Sequence, residues 1–160
     1  MQFETWVSIS PFSWQAVGAT IFCGSIVGLE RQLRGKPVGI RTSALITLGT
    51  YIFLQSALVV TNDLTDPSRV IGQVITGIGF LGAGVMLARD GAVIGVTSAA
   101  TIWVLAAIGV AIFVGSIAAA IKLSFLTVFI LYGVDLLEEH TKTFSRGVHA
   151  RIMSRKQRPD

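Results

Sequence analysis

One apolar segment, Asp66–Met86, constrains the fold more than any other part of the chain. It reads DPSRVIGQVITGIGFLGAGVM and contains five glycines between positions 72 and 84. The segment is long enough to cross a bilayer. Glycine lowers helix propensity, whereas small residues let membrane helices approach each other closely. The segment is therefore predicted to be the inner helix of a compact membrane bundle.

Composition supports a membrane protein independently, because 52% of the residues are hydrophobic and only 14% are charged. Soluble domains carry about 25% charged residues. Five apolar segments are each close to the roughly 20 residues that a spanning helix needs. They are Ser13–Leu29, Ile40–Val60, Val70–Ala88, Thr97–Val114 and Ser116–Leu136. The last two form one continuous run, which Gly115-Ser116 is predicted to divide into a tight hairpin. The chain is thus predicted to be an all-α, polytopic bundle of five transmembrane helices over residues 1–136, followed by a basic tail over residues 137–160.

The positive charges predict the orientation of this bundle. With five spans, eleven of the 13 Lys and Arg residues fall on one side. They are Arg31, Arg34, Lys36, Arg41, Arg89, Lys142, Arg146, Arg151, Arg155, Lys156 and Arg158. Cytoplasmic loops carry an excess of Lys and Arg, so the N-terminus is predicted to lie outside and the C-terminus in the cytoplasm. The basic tail suits an anionic membrane surface; nucleic-acid binding is not predicted, because aromatic residues are nearly absent from the tail.

The third segment can be interpreted further as a helix. Asp66-Pro67 is typical of an N-cap followed by proline at the first helical position. Small residues predict close helix packing in the third apolar segment and in the first apolar segment. These packing residues are Gly72, Gly77, Gly79, Gly82 and Gly84, with Gly24 and Gly28 in the first segment. On the third helix Gly72 and Gly79 lie in one stripe and Gly77 and Gly84 lie in the adjacent one. The sequence leaves open whether one stripe forms a contact between subunits. The G-x-G-x-x-G pattern at residues 77–82 is attributed to packing, since no strand precedes it.

Several motifs occur in order along the chain. They are GLER at Gly28–Arg31, GIRT at Gly39–Thr42, DPSRVIGQV at Asp66–Val74, GIGFLGAG at Gly77–Gly84 and GVTSAATIWVLAAIG at Gly95–Gly109. In this combination the chain resembles the MgtC/SapB family of bacterial membrane proteins over roughly residues 14–136. The resemblance implies a multi-pass inner-membrane protein linked to magnesium limitation, acid stress or intracellular survival and virulence. Longer members carry a soluble C-terminal domain, so this chain resembles the short form.

Polar residues at membrane depth are the functional candidates, because charge is costly there. One group lies on the predicted cytoplasmic side and comprises Glu30, Arg41, Thr42, Asp90, Thr97 and Ser98. It is interpreted either as a vestibule in which the two acids attract a cation, or as structural pairs. In the second interpretation Glu30 pairs with Arg41 or Arg31, and Thr97 and Ser98 cap a helix.

A second group lies toward the outside and comprises Asp66, Arg69 and Gln73. Asp66 and Arg69 are three residues apart and can pair across one helical turn, or the group can form a polar pocket around Gln73. Neither group supplies the several carboxylates of a dedicated Mg²⁺ cage. No metal site and no cofactor are predicted.

Two functional classes follow from these observations. The chain contains no H-E-x-x-H or G-x-S-x-G motif, and both histidines, His140 and His149, follow the last apolar segment; no catalytic residue is predicted. The first class is a non-enzymatic membrane regulator, oligomeric and in contact with the bilayer and another membrane protein. The second is a transporter or channel for a small cation or proton. The scarcity of buried acids and the lack of an inverted repeat favour the first class.

Overall fold

The computed structural model describes residues 8–60, 66–89 and 92–140 of the chain. These residues form five α-helices and one short β-hairpin. In chain order they are α1 (Trp14–Leu33), α2 (Ile40–Val60), α3 (Pro67–Gly84), β1 (Leu87–Arg89), β2 (Ala92–Ile94), α4 (Val96–Phe113) and α5 (Ile117–His140). Within the described ranges, three helical stretches are long and apolar enough to span a bilayer: α2, α4 and Ile117–Val134 of α5.

Local sequence signals determine several helix ends. Asp66 caps α3 by accepting hydrogen bonds from the backbone N–H of Ser68 at 2.9 Å and from its hydroxyl at 2.8 Å. Pro67 opens the helix, so the predicted start of α3 is confirmed. Between α4 and α5, Gly115 has a φ of +85°, a backbone conformation that glycine adopts without steric cost. The predicted break at Gly115-Ser116 is therefore also confirmed.

The segment between α3 and α4 differs from the prediction. Helix α3 ends at Gly84 instead of continuing to Ala88, and the next residues pair as an antiparallel ribbon with Leu87 opposite Ile94. The all-α prediction is thus wrong for this ribbon. At Gly95 the φ is +89°, and a Cβ there would collide with the backbone carbonyl of Val85, so the turn into α4 requires glycine.

Helix α4 occupies the position that the sequence analysis gave to α3. It packs against each of the other four helices, and Leu105 and Ile108 lie fully buried within it. Helix α3 packs mainly against α4 and more lightly against α2. Among the residues of α3 whose burial is described, only Gly82 is buried. The prediction of α3 as the inner helix is therefore wrong for the single chain, because close contacts form at the glycines of α1 and α4 instead.

The closest helix contact joins α1 to α2. A Cβ added at Gly24 would lie 2.7 Å from Cα of Ala44, and one at Gly28 would lie 2.6 Å from Cα of Ile40. The hydroxyl of Thr47 donates to the carbonyl of Thr20 on α1 at 2.8 Å. Small residues and a hydroxyl donor together hold the two backbones close, which is a common arrangement in membrane helix pairs.

Successive helices alternate in direction, which gives the bundle two distinct ends. Helix α1 ends where α2 begins, and the start of α4 contacts the last turn of α1 through Arg31 and Ser98. The last turns of α1 and the first turn of α2 carry Arg31, Arg34 and Arg41. We call this the basic end; the start of α3 at Asp66 lies at the opposite end.

Candidate functional site

The last turn of α1 places two charged residues inside the bundle at the basic end. Glu30 is 7% exposed and Arg31 is 3% exposed. Buried charges are costly unless they are paired and hydrogen-bonded. The contacts of these two side chains therefore define the site.

Arg31 connects α1 to the start of α4. Its Nη2 donates a hydrogen bond of 2.8 Å to Oγ of Ser98, which is itself buried. The Nε atom of Arg31 has no hydrogen-bond partner among the described residues. Ser98 is thus an acceptor for a buried cation in the first turn of α4. The helix cap is Gly95, so the interpretation of Thr97 and Ser98 as capping residues is wrong.

Glu30 pairs with Arg34, the residue that caps the C-terminal end of α1. Its Oε1 lies 3.3 Å from Nε of Arg34, four residues later. The guanidinium of Arg34 also lies 4.8 Å from the ring centroid of Tyr132 on α5, a distance that gives a cation–π attraction. The pair between Glu30 and Arg41 that the sequence analysis considered is not found among the described residues, and Arg41 is exposed on α2.

The loop between α1 and α2 completes the site and contains strained backbone. Val38 has a φ of +68°, which is unusual for a β-branched residue and costs about 1–3 kcal/mol. Its side chain is buried, and its carbonyl accepts a hydrogen bond of 3.0 Å from the hydroxyl of Ser43. The amide oxygen of Gln32 accepts from the backbone N–H of Ile40 at 3.3 Å. The last turn of α1 therefore contacts α2, α4 and α5.

The other predicted residues of this group lie outside the buried cluster. Arg41, Thr42 and Thr97 are exposed at the same end of the bundle. Asp90 lies outside the described residues, as does the basic tail from Lys142 to Arg158. The structure thus places Glu30 and Ser98 in two neighbouring polar contacts, Glu30 with Arg34 and Ser98 with Arg31, and leaves three predicted residues outside them.

The second predicted group lies at the opposite end and is separate from the first. Asp66, Arg69 and Gln73 are all exposed along the start of α3. The hydroxyl and the backbone N–H of Ser68 hold the pKa of Asp66 below its usual value, and Arg69 lowers it further. Hydrogen bonds to the charged form favour ionisation. Asp66 acts here as a helix cap.

A groove of about 650 Å³ runs between α2 and α3. Its walls extend from Thr42 to Phe53 on α2 and from Val70 to Leu81 on α3. The lining is mostly apolar, with Thr42, Thr50 and Gln73 as the polar members. Thr50 donates to the carbonyl of Ile46 at 2.8 Å, so its hydroxyl hydrogen is already used within α2.

The predicted packing glycines divide into two sets. Gly24 and Gly28 lie in the tight contact of α1 with α2, and a Cβ at Gly82 would lie 3.5 Å from the carbonyl oxygen of Ala99. The other set consists of Gly72, Gly77, Gly79 and Gly84. No described atom would come within 4 Å of a Cβ at any of these positions. Close helix packing at these four glycines stays a prediction, and it would require a contact with another chain.

The site consists of two polar contacts at the end of α1, the ion pair of Glu30 with Arg34 and the hydrogen bond of Arg31 with Ser98. Among the described residues, no three His, Cys, Asp or Glu side chains lie close enough to hold a metal ion. The sequence analysis did not consider Arg34 or Tyr132 as partners of Glu30. The i, i+4 spacing of Glu30 and Arg34 was a usable signal, whereas the contact with Tyr132 depends on tertiary structure.

Comparison with known proteins assigns the chain to a family. The model of the MgtC family matches residues 17–140. The chain belongs to the MgtC family. With three helices apolar enough to span a bilayer, it is a membrane protein. No solved structure shows a significant match to it.

Relatives in the family are similar over most of this chain. "Putative magnesium transporter YhiD" of Escherichia coli K12 is 43% identical over 120 residues, covering 71% of this chain and 55% of the relative. An uncharacterized protein of Haemophilus influenzae is 41% identical over 142 residues, covering 83% and 57%. Protein MgtC of Salmonella typhimurium LT2 is 38% identical over 121 residues, covering 76% and 50%. The chain thus spans about half the length of the curated relatives it matches.

Proposed function

We propose that this protein is a non-enzymatic, multi-pass protein of the bacterial inner membrane that regulates Mg²⁺ or proton homeostasis, or stress adaptation. In this proposal it acts through another membrane protein and forms a homo-oligomer. All five helices cross the bilayer, with the N-terminus outside and the basic end in the cytoplasm. Membership of the MgtC family and the name of the Escherichia coli relative support the link to Mg²⁺.

The outward side of α3 is the observation that carries the proposal. Gly72 and Gly79 leave open space where a side chain would stand, and Phe80 is 81% exposed. A lipid-facing helix gains nothing from glycine, which lowers helix propensity by about 1 kcal/mol relative to alanine. A second membrane helix would gain close backbone contact there.

The state of Glu30 supports a regulator over a transporter. Its carboxylate is buried and paired with Arg34, so a cation would have to displace a guanidinium to bind it. Removing one partner of a buried pair costs about 3–5 kcal/mol. Glu30 therefore holds Arg34 in place at the end of α1. Arg34 in turn contacts Tyr132 on α5.

The alternative function is transport of Mg²⁺ or a proton. Two observations favour it. The Escherichia coli relative is named "Putative magnesium transporter YhiD". The bundle also contains a buried acid, Glu30, and ionisable residues at membrane depth mark ion paths in many transporters. In this alternative, protonation or cation binding at Glu30 would release Arg34.

Site-specific photocrosslinking in intact membranes tests the proposal. A photoreactive residue at position 80 reports on the outward side of α3, and one at position 129 reports on α5, where Phe129 is 72% exposed. We expect a discrete protein adduct from position 80, either to a second copy or to another membrane protein, and none from position 129. The same result at both positions would contradict a contact surface on α3.

A further inference from the structure

The groove between α2 and α3 has the dimensions of a lipid chain. Each wall covers 12 residues, which corresponds to a length of about 17 Å at the helical rise of 1.5 Å per residue. One leaflet of the hydrocarbon core is about 15 Å deep. The groove is therefore about as long as one leaflet is thick.

The groove is wide enough for an acyl chain. Its volume is about 650 Å³ over this length. A hydrocarbon chain is thinner than a helix with its side chains, which is about 10–12 Å across. The apolar walls can therefore contact such a chain along the whole groove.

Two glycines create this space. Gly49 on α2 and Gly77 on α3 both line the groove, and no described atom would come within 4 Å of a Cβ on either one. Leu45, Phe53 and Val74 supply apolar contacts along its length. The hydroxyl of Thr50 is bonded to its own helix, so it does not require a polar occupant.

The groove opens at the basic end, where Arg41 is exposed. Arg41 lies four residues before Leu45, on the same side of α2, since residues four apart share a helix face. Its side chain is exposed and has no ion-pair partner within the described part of the chain. Arg31 and Arg34 at this end are engaged with Ser98, Glu30 and Tyr132.

We propose that this groove binds an acyl chain of an anionic phospholipid whose phosphate lies against Arg41. The apolar walls receive the chain, and the exposed guanidinium provides charge-assisted hydrogen bonds to the headgroup phosphate. Basic sites between membrane helices on the cytoplasmic side recognise lipid headgroups in this way. The site is distinct from the outward stripe of α3 that includes Gly72 and Gly79.

Native mass spectrometry of the delipidated protein in detergent tests this site, with dioleoyl phosphatidylglycerol and dioleoyl phosphatidylcholine as probes. Gly77→Leu introduces a side chain into the groove at a position where a Cβ meets no described atom within 4 Å, and it is expected to abolish binding of phosphatidylglycerol. Gly18→Leu on α1 is the matched control, since that position is equally open and outside the groove; it should bind normally. Circular dichroism checks the helix content of each variant.

Charge variants test the headgroup contact separately. Arg41→Gln should weaken binding of phosphatidylglycerol about fivefold, equivalent to about 1 kcal/mol. It should weaken binding of phosphatidylcholine less, because the choline cation of that lipid offsets the charge of its phosphate. Lys122→Gln, which removes an exposed charge on α5, should change neither. Unchanged binding of phosphatidylglycerol in both Gly77→Leu and Arg41→Gln would overturn the proposal. So would a loss of dimer in Gly77→Leu without a loss of lipid, which would assign the groove to a second copy of the chain.

Discussion

Gly24→Ala tests how closely α1 and α2 pack. A Cβ at this position would lie 2.5 Å from Oγ1 of Thr47 and 2.7 Å from both Cα of Ala44 and the carbonyl oxygen of Ser43. Two of these atoms belong to the backbone, so the helices must separate to admit the methyl group. Overpacking of this kind costs about 1–3 kcal/mol. The higher helix propensity of alanine recovers up to about 1 kcal/mol, which leaves a net loss of about 1–2 kcal/mol.

Gly18→Ala is the matched control in the same helix. No described atom would lie within 4 Å of a Cβ there, so the variant should be neutral or more stable by up to about 1 kcal/mol. The two variants should then differ by about 2 kcal/mol, or about 4–8 °C in unfolding midpoint for a chain of this size. Thermal unfolding in detergent, followed by circular dichroism, measures this difference. Equal midpoints would refute the close approach of α1 and α2.

Two further predictions concern the two ends of the bundle. Ser98→Ala removes the acceptor of the buried Arg31 guanidinium and should lower the free energy of unfolding by about 1–3 kcal/mol. Thr97→Ala, at the exposed neighbouring position, should change it by less than about 0.5 kcal/mol. Unfolding in mixed micelles compares the two variants, and equal losses would contradict the buried contact. Because Ser68 lowers the pKa of Asp66, the ionised cap stabilises the start of α3 above about pH 4, and this stabilisation is lost as the pH falls through the lowered pKa. Amide exchange in the first turn of α3, relative to intrinsic rates, should therefore rise in the wild type when the pH falls below the lowered pKa. In Asp66→Ala it should not depend on pH. A wild-type turn that is equally protected above and below that pKa would contradict the role of the cap.

Signals that act over a few residues predicted the structure well. The capping pair Asp66-Pro67 identified the start of α3, and Gly115 identified the break between α4 and α5. Each depends on backbone geometry within one turn. The hairpin also had such a signal, since Asp90-Gly91 between apolar residues is typical of a two-residue β-turn. The continuous apolar segment Val70–Ala88 instead predicted a helix up to Ala88.

Tertiary placement could not be predicted in the same way. The small-residue spacing of Gly24 and Gly28 resembles that of α3, yet only the pair on α1 meets a neighbouring backbone at close range. Spacing shows that a helix can be approached closely, and it does not identify the partner. The contact of Arg31 with Ser98 joins residues 67 positions apart, so the sequence alone could not show it.

Ion flux into proteoliposomes tests the proposed function most directly. Purified protein would be assayed with Mg²⁺, K⁺ and H⁺, alongside Glu30→Gln, after circular dichroism has shown that both are folded. The account predicts no flux of any ion above that of protein-free vesicles, because the carboxylate of Glu30 is held by Arg34 inside the bundle. A flux in the wild type that Glu30→Gln abolishes would contradict the account and establish a conducting protein with Glu30 in its path.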